Sequence, residues 1–130
     1  MTRDTLITIL MLIVGIIHLL PIIGMSGADA LTRLYGPSFD EPNIQILMRH
    51  RAVIFGILGG IMIYAAFNRP YQPLAMTAAA TSILSFIALA LHVGQFNEQI
   101  SKVLWADLAA LVCLIPAAIL FWISRSTDHG

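Results

Sequence analysis

The sequence predicts an all-α fold: an integral membrane up-down four-helix bundle with a short interfacial helix between spans one and two. Three observations lead there. Hydrophobic residues make up 58% of the 130 residues and charged ones only 11%, with a mean hydropathy of +0.86, whereas a soluble domain carries about 25% charged residues. Four apolar stretches each approach the roughly 20 residues that a helix needs to cross a hydrocarbon core. The links between the later stretches are so short that successive helices must run antiparallel. Too few polar side chains remain to cover a core of this size in water, so a soluble enzyme and a disordered tail are excluded. With 7 basic and 7 acidic residues scattered along the chain, there is no basic field to gather phosphates, and no nucleic-acid partner is expected.

The chain reads as one four-span domain covering residues 1–130. Span one runs from Thr5 to Ile23 and places His18 over Met11 and Gly15, with Thr8 below. Pro21 has no N–H to offer the Ile17 carbonyl. The apolar run is longer than the roughly 7–15 residues of a signal-peptide core, so span one is expected to be retained despite the small-x-small pattern Ala28-Asp29-Ala30. Gly24 to Gln45 forms the one longer connection. There Ser26 is the expected N-cap, Ala28 to Tyr35 a short helix on the membrane surface, and Gly36 its C′ residue. Leu31, Leu34 and Tyr35 make its apolar stripe, and Asp29 pairs with Arg33 at i,i+4. Pro37, Asp40-Glu41-Pro42 and Asn43 then form a turn that starts the next helix.

Span two runs from Ile46 to Phe67. Arg49 shares a face with Val53, Gly56 and Gly60, which suits close packing and sets Arg49 inward; Arg51, about 200° away, is expected to point outward and snorkel to headgroups. Span three, Leu74 to Val93, aligns His92 with Ala78, Thr81, Ser85 and Ala88, again a small-residue face expected to pack inward. Span four, Val103 to Ile123, aligns Asp107 with Ala110, Leu111 and Leu114. Trp105 and Trp122 sit near its opposite ends, as an aromatic belt requires. Cys113 has no partner for an intrachain disulfide, and no CxxC motif is present. His129 is expected to be solvent-exposed.

Alternating helix direction brings His18, Arg49, His50, His92 and Asp107 to one level, roughly 5–8 Å inside the membrane face away from the termini. Ionisable side chains within spans are costly and usually face the bundle interior. Each has a plain reading beside a sharper one. Arg49 and Asp107 make a buried ion pair that fixes helix register, or the anion-binding, proton-handling part of a pocket. His18 and His92 are satisfied structural histidines, ligand contacts, or facing axial ligands of a haem or metal, although no HExxH or CxxCH spacing accompanies them. His50 is a member of the cluster or an interfacial residue. Three functions follow. The first is a binding or accessory module for a lipid-soluble small molecule such as a quinone, lipid or isoprenoid. The second is a membrane enzyme, an isomerase or redox enzyme with or without haem or metal, using the same cluster. The third is a structural subunit whose lipid-facing surface meets membrane lipids, a membrane partner or a second copy.

An even number of spans puts both termini on one side with Arg3, Arg69 and Arg125, and the loop charges place that side in the cytoplasm; counting the helix-embedded Arg49 and Arg51 reverses the tally. The order of parts resembles the small DoxX-like four-span membrane proteins of bacteria. The matching residues are Gly15-Ile16-Ile17-His18 ending span one, Leu34-Tyr35-Gly36 ending the short helix, and Met48-Arg49-His50-Arg51 leading into Gly56 and Gly59-Gly60. The likeness covers most of the chain in layout. It implies a bacterial inner-membrane protein with a lipid-soluble ligand, in a family some of whose members serve quinone-linked or sulfur redox systems. It transfers no catalytic residue.

Overall fold

The Thr2 hydroxyl accepts the Thr5 N–H at 3.2 Å and so starts the first helix. The computed structural model describes residues 1–128, which leaves His129 outside the described residues. Five α-helices follow in order: α1 Arg3–Leu19, α2 Ala28–Tyr35, α3 Pro42–Ala66, α4 Gln72–Val93 and α5 Glu98–Asp128; no strand occurs among the described residues. Because Pro21 lacks an N–H, the Leu20 N–H turns to the Ile17 carbonyl instead, and the chain tightens into a 3-10 stretch, Leu20–Ser26. The first apolar run therefore reaches Ser26, and four helical runs (Arg3–Ser26, Pro42–Ala66, Arg69–Val93 and Glu98–Thr127) are long and apolar enough to cross a membrane.

The caps explain where each helix stops, and two expectations need correction. Ser26 does not cap α2: its hydroxyl donates back to the Ile23 carbonyl at 2.8 Å, and Gly27, at φ 146, makes the entry. The expected Asp29–Arg33 ion pair is absent among the described residues. Gly36 ends α2 at φ 96, its N–H meeting the Thr32 carbonyl at 2.8 Å. Glu41 caps α3, accepting from the Asn43 N–H at 3.0 Å and the Ile44 N–H at 2.8 Å, with Pro42 at the first helical position. The second span thus starts one turn ahead of Ile46. Asn97 caps α5, accepting the Ile100 N–H at 2.8 Å.

Helix α1 packs between α3 and α5, and α4 closes the ring against the same two. Each inner face repeats at alternating steps of four and three residues: Ile7, Met11, Val14 and His18 on α1; Ala52, Phe55, Gly59, Met62 and Ala66 on α3; Ala110, Leu114, Ala117, Phe121 and Ser124 on α5. The inner face of α4 is Gln72, Ala75, Met76, Ala79 and Ile83. That overturns the expected inward face Ala78, Thr81, Ser85, Ala88 and His92. The hydroxyls there bond their own helix, Thr81 to the Thr77 carbonyl at 2.9 Å and Ser85 to the Ser82 carbonyl at 3.0 Å. Being satisfied locally, they tolerate an outward position. At the end away from the termini, Leu31, Tyr35 and Phe39 form a second small core with Ile100 and Val103. Helix α2 is consequently a roof over that end of the bundle.

Candidate functional site

Beneath the roof lies a cavity of about 300 Å³ to which every helix contributes: Ile17, His18 and Pro21 from the first span, Leu34 and Tyr35 from α2, Arg51 and Phe55 from α3, Phe86 from α4, and Val103, Ala106 and Asp107 from α5. Most of this lining is apolar. Arg33, Gln99 and Lys102 border it on the roof side, and Lys102 is held at 3.2 Å by Glu98.

His18 is placed by the helix that carries it. It is the last member of the α1 stripe and only 2% exposed. Its Nδ1–H donates to the Val14 carbonyl one turn back at 2.8 Å, since a carbonyl can only accept. In the neutral ring this leaves Nε2 as the acceptor. That atom is buried and has no hydrogen-bond partner. A buried polar atom left unmatched costs about 1–3 kcal/mol, so it stands out in a cluster where the ring itself is well packed. The imidazole stacks on Phe55 with centroids 6.0 Å apart and planes 19° apart.

Arg51 enters from the side of the α3 stripe. Its Nη1 donates to the Tyr35 hydroxyl at 2.8 Å, and its guanidinium carbon lies 5.3 Å from the Tyr35 ring centroid and 4.7 Å from that of Phe55. Two aromatic faces thus hold the cation. Tyr35 is fixed from behind, because the Asn97 side chain donates to its backbone carbonyl at 2.7 Å. Asp107, half-buried, lines the same cavity within electrostatic reach of the Arg51 guanidinium. Among the described residues it has no direct ion pair and no hydrogen bond.

Of the five residues singled out from the sequence, the structure brings His18 and Asp107 to one cavity and leaves Arg49, His50 and His92 outside it. Arg49 is exposed and its Nε donates to the Met25 carbonyl at 2.8 Å, a backbone group left over at the end of the 3-10 stretch. The anticipated Arg49–Asp107 pair is therefore not formed, and Arg51 takes the inward place expected of Arg49. The cause is helical phase. Gly59 makes the close backbone approach: a Cβ there would lie 2.8 Å from the Gly15 carbonyl oxygen, whereas one on Gly56 would meet only the Ile22 side chain and one on Gly60 nothing within 4 Å. Met62, which is fully buried, lies within about 20° of Arg51 around the helix, whereas Gly60, which faces open space, lies within about 20° of Arg49, so the buried stripe carries Arg51 inward and Arg49 out. His50 is exposed on the same outer side, and His92 is exposed in the last turn of α4. His18 and His92 do not face each other, so the bis-histidine arrangement is not assembled. No group of three or more His, Cys, Asp or Glu is placed to hold a metal ion among the described residues.

Arg51, expected to point outward, Tyr35 and Phe55 are the site residues missed in the sequence. Tyr35 was legible as the end of the α2 apolar stripe; Phe55 carried no signal beyond its place one turn from Arg51. Comparison with known protein families, curated proteins and solved structures finds no match. What the site can do follows from its own donors and acceptors. A buried nitrogen acceptor, a guanidinium with unshared N–H groups and a carboxylate surround a mostly apolar volume at the small end of ligand pockets.

Proposed function

We propose that this chain is a multi-pass membrane protein of the bacterial inner membrane, termini cytoplasmic and layout DoxX-like, that binds a lipid-soluble small molecule beneath helix α2. The four apolar helices support the membrane reading. The single observation that carries the binding reading is the unpartnered, buried Nε2 of His18, a residue that lines a mostly apolar cavity. An occupant with a hydroxyl donates to Nε2, a second oxygen accepts from Arg51, and its apolar body lies against Ile17, Phe55, Phe86 and Val103. A quinol and a hydroxylated lipid or isoprenoid head group with a second oxygen meet that description, whereas an oxidised quinone, having carbonyl acceptors alone, would engage Arg51 only.

Mass spectrometry and an absorption spectrum of the gently solubilised protein test it. The expected result is a small molecule retained in stoichiometric amount by the natural protein and lost from His18→Phe and Arg51→Gln. Removing a mismatched buried acceptor while keeping a flat ring is close to neutral for folding, so His18→Phe should unfold at about the temperature of the natural protein stripped of its ligand, and below that of the loaded protein. A protein that retains nothing, or a His18→Phe variant that unfolds readily, would instead favour a purely structural subunit. A second reading, catalysis in the same cavity, is favoured by one arrangement: the Nε2 acceptor and the Asp107 carboxylate border one volume, as a general acid–base pair must. It requires the retained molecule to emerge chemically changed.

A further inference from the structure

The opposite end of the bundle carries a second hollow with different chemistry. Between α4 and α5 an apolar groove of about 400 Å³ runs along Met76, Ala80 and Leu84 on one side and Leu111, Ala118 and Trp122 on the other. It shares Pro73 and Phe121 with an adjoining hollow of about 380 Å³ bordered by Arg69 and Arg125. Arg125 borders that adjoining hollow and lies over the ring of Trp122, its guanidinium carbon 5.7 Å from the centroid. Arg69 also borders a neighbouring recess with Arg3 and Asp4. Arg3, Arg69 and Arg125 thus gather around these recesses, with the Asp4 carboxylate among them.

Length identifies the occupant. From Pro73 to Leu84, or from Leu111 to Trp122, a helix advances about 17 Å, close to the roughly 15 Å of one leaflet's hydrocarbon. An apolar trough one leaflet deep, open to the side and headed by arginines at the level of the chain termini, matches an acyl chain joined to an anionic phosphate. Guanidinium groups bind phosphate through paired N–H donors, and basic recesses between spanning helices favour acidic head groups over zwitterionic ones. We propose that the α4–α5 groove is a binding site for an anionic phospholipid, its phosphate on Arg125 and Arg69 and one acyl chain along Ala80 and Ala118. This rests on the membrane reading above but not on the ligand cavity beneath α2.

The test uses the full chain in nanodiscs containing equal parts phosphatidylglycerol and phosphatidylcholine, with native mass spectrometry of the lipid that stays bound on release. The natural protein should retain phosphatidylglycerol about 25-fold over its bulk ratio, each of the two arginines at the phosphate contributing a factor of about five. Arg125→Gln should lower that preference several-fold, and Arg69→Gln with Arg125→Gln should abolish it. Ala80→Trp, which fills the groove and leaves the arginines alone, should reduce retention of the lipid as a whole. Retention at the bulk ratio by the natural protein overturns the proposal. So does full displacement of the lipid by inorganic phosphate, which would make the groove irrelevant, or a lipid-free dimer in which a second copy fills it. A protein recovered in the aqueous fraction without detergent would instead defeat the membrane reading itself.

Discussion

Arg51 of α3 donates to the Tyr35 hydroxyl of α2 at 2.8 Å, so the roof of the cavity is tied to a long helix through the cation that borders the cavity. Packing alone also holds the roof: Leu31 and Tyr35 are buried with Phe39, and Tyr35 meets Phe39 edge-on at 6.3 Å. Tyr35→Phe separates the two effects. It keeps the ring, its contact with Phe39 and the face it offers to Arg51, and removes only the hydroxyl. Stability should fall by about 1 kcal/mol, the usual net worth of such a bond. Amide hydrogen exchange within α2 should become faster while that of α1 and α5 stays as it was. Unchanged exchange in α2 would show that the small core and the Asn97 bond hold the roof without Arg51.

Which parts of this were legible in the sequence depends on whether lipid and core can be told apart. Helix number and direction were, because span length and loop length do not depend on which face is inside. His18 and Asp107 were too: each continues a stripe that is apolar at steps of four and three, Ile7-Met11-Val14 on α1 and Ala110-Leu114 on α5. Arg51 and His92 were not. In a water-facing bundle a polar stripe marks the outside, but these helices are apolar on their exposed faces as well as in the core, and small residues are the remaining clue. On α3 that clue points both ways, since Gly56 and Gly60 suggest one face and Gly59 another. On α4, Thr81 and Ser85 satisfy themselves within the helix and no longer indicate a neighbour.

The Gly59 approach makes a paired prediction. A Cβ there would lie 2.7 Å from the Leu19 Cγ and 2.8 Å from the Gly15 carbonyl oxygen, and backbone cannot rotate away as a side chain can. Gly59→Ala should therefore force α1 and α3 apart and cost about 1–3 kcal/mol, as overpacking does. Gly60→Ala, one residue on, meets open space and should be neutral, or stabilising by up to about 1 kcal/mol through helix propensity. Thermal unfolding of the two variants in one detergent reads the difference. If both behave alike, α3 is rotated relative to the phase described here, and the inward place of Arg51 falls with it.

Glu41 makes the stability of the α3 start depend on pH. The Asn43 N–H, then the Ile44 N–H, hold its carboxyl below the ordinary glutamate range by bonding the charged form, and a negative group at a helix N-terminus is favourable in itself. The unfolded chain consequently binds this proton more readily than the folded one, and stability must rise with pH across the interval between the two titrations. The cap contributes fully above the unfolded value, near pH 4 to 5 for a glutamate, and is lost as the pH falls through the lower, folded one. Glu41→Gln keeps the length and one acceptor but removes the charge. Its unfolding midpoint should lie below that of the natural protein at neutral pH, with the gap closing as the medium is taken from about pH 5 toward pH 3. A gap that stayed constant over that interval would mean that the carboxylate's charge contributes nothing and that Pro42 and the backbone alone set where α3 begins.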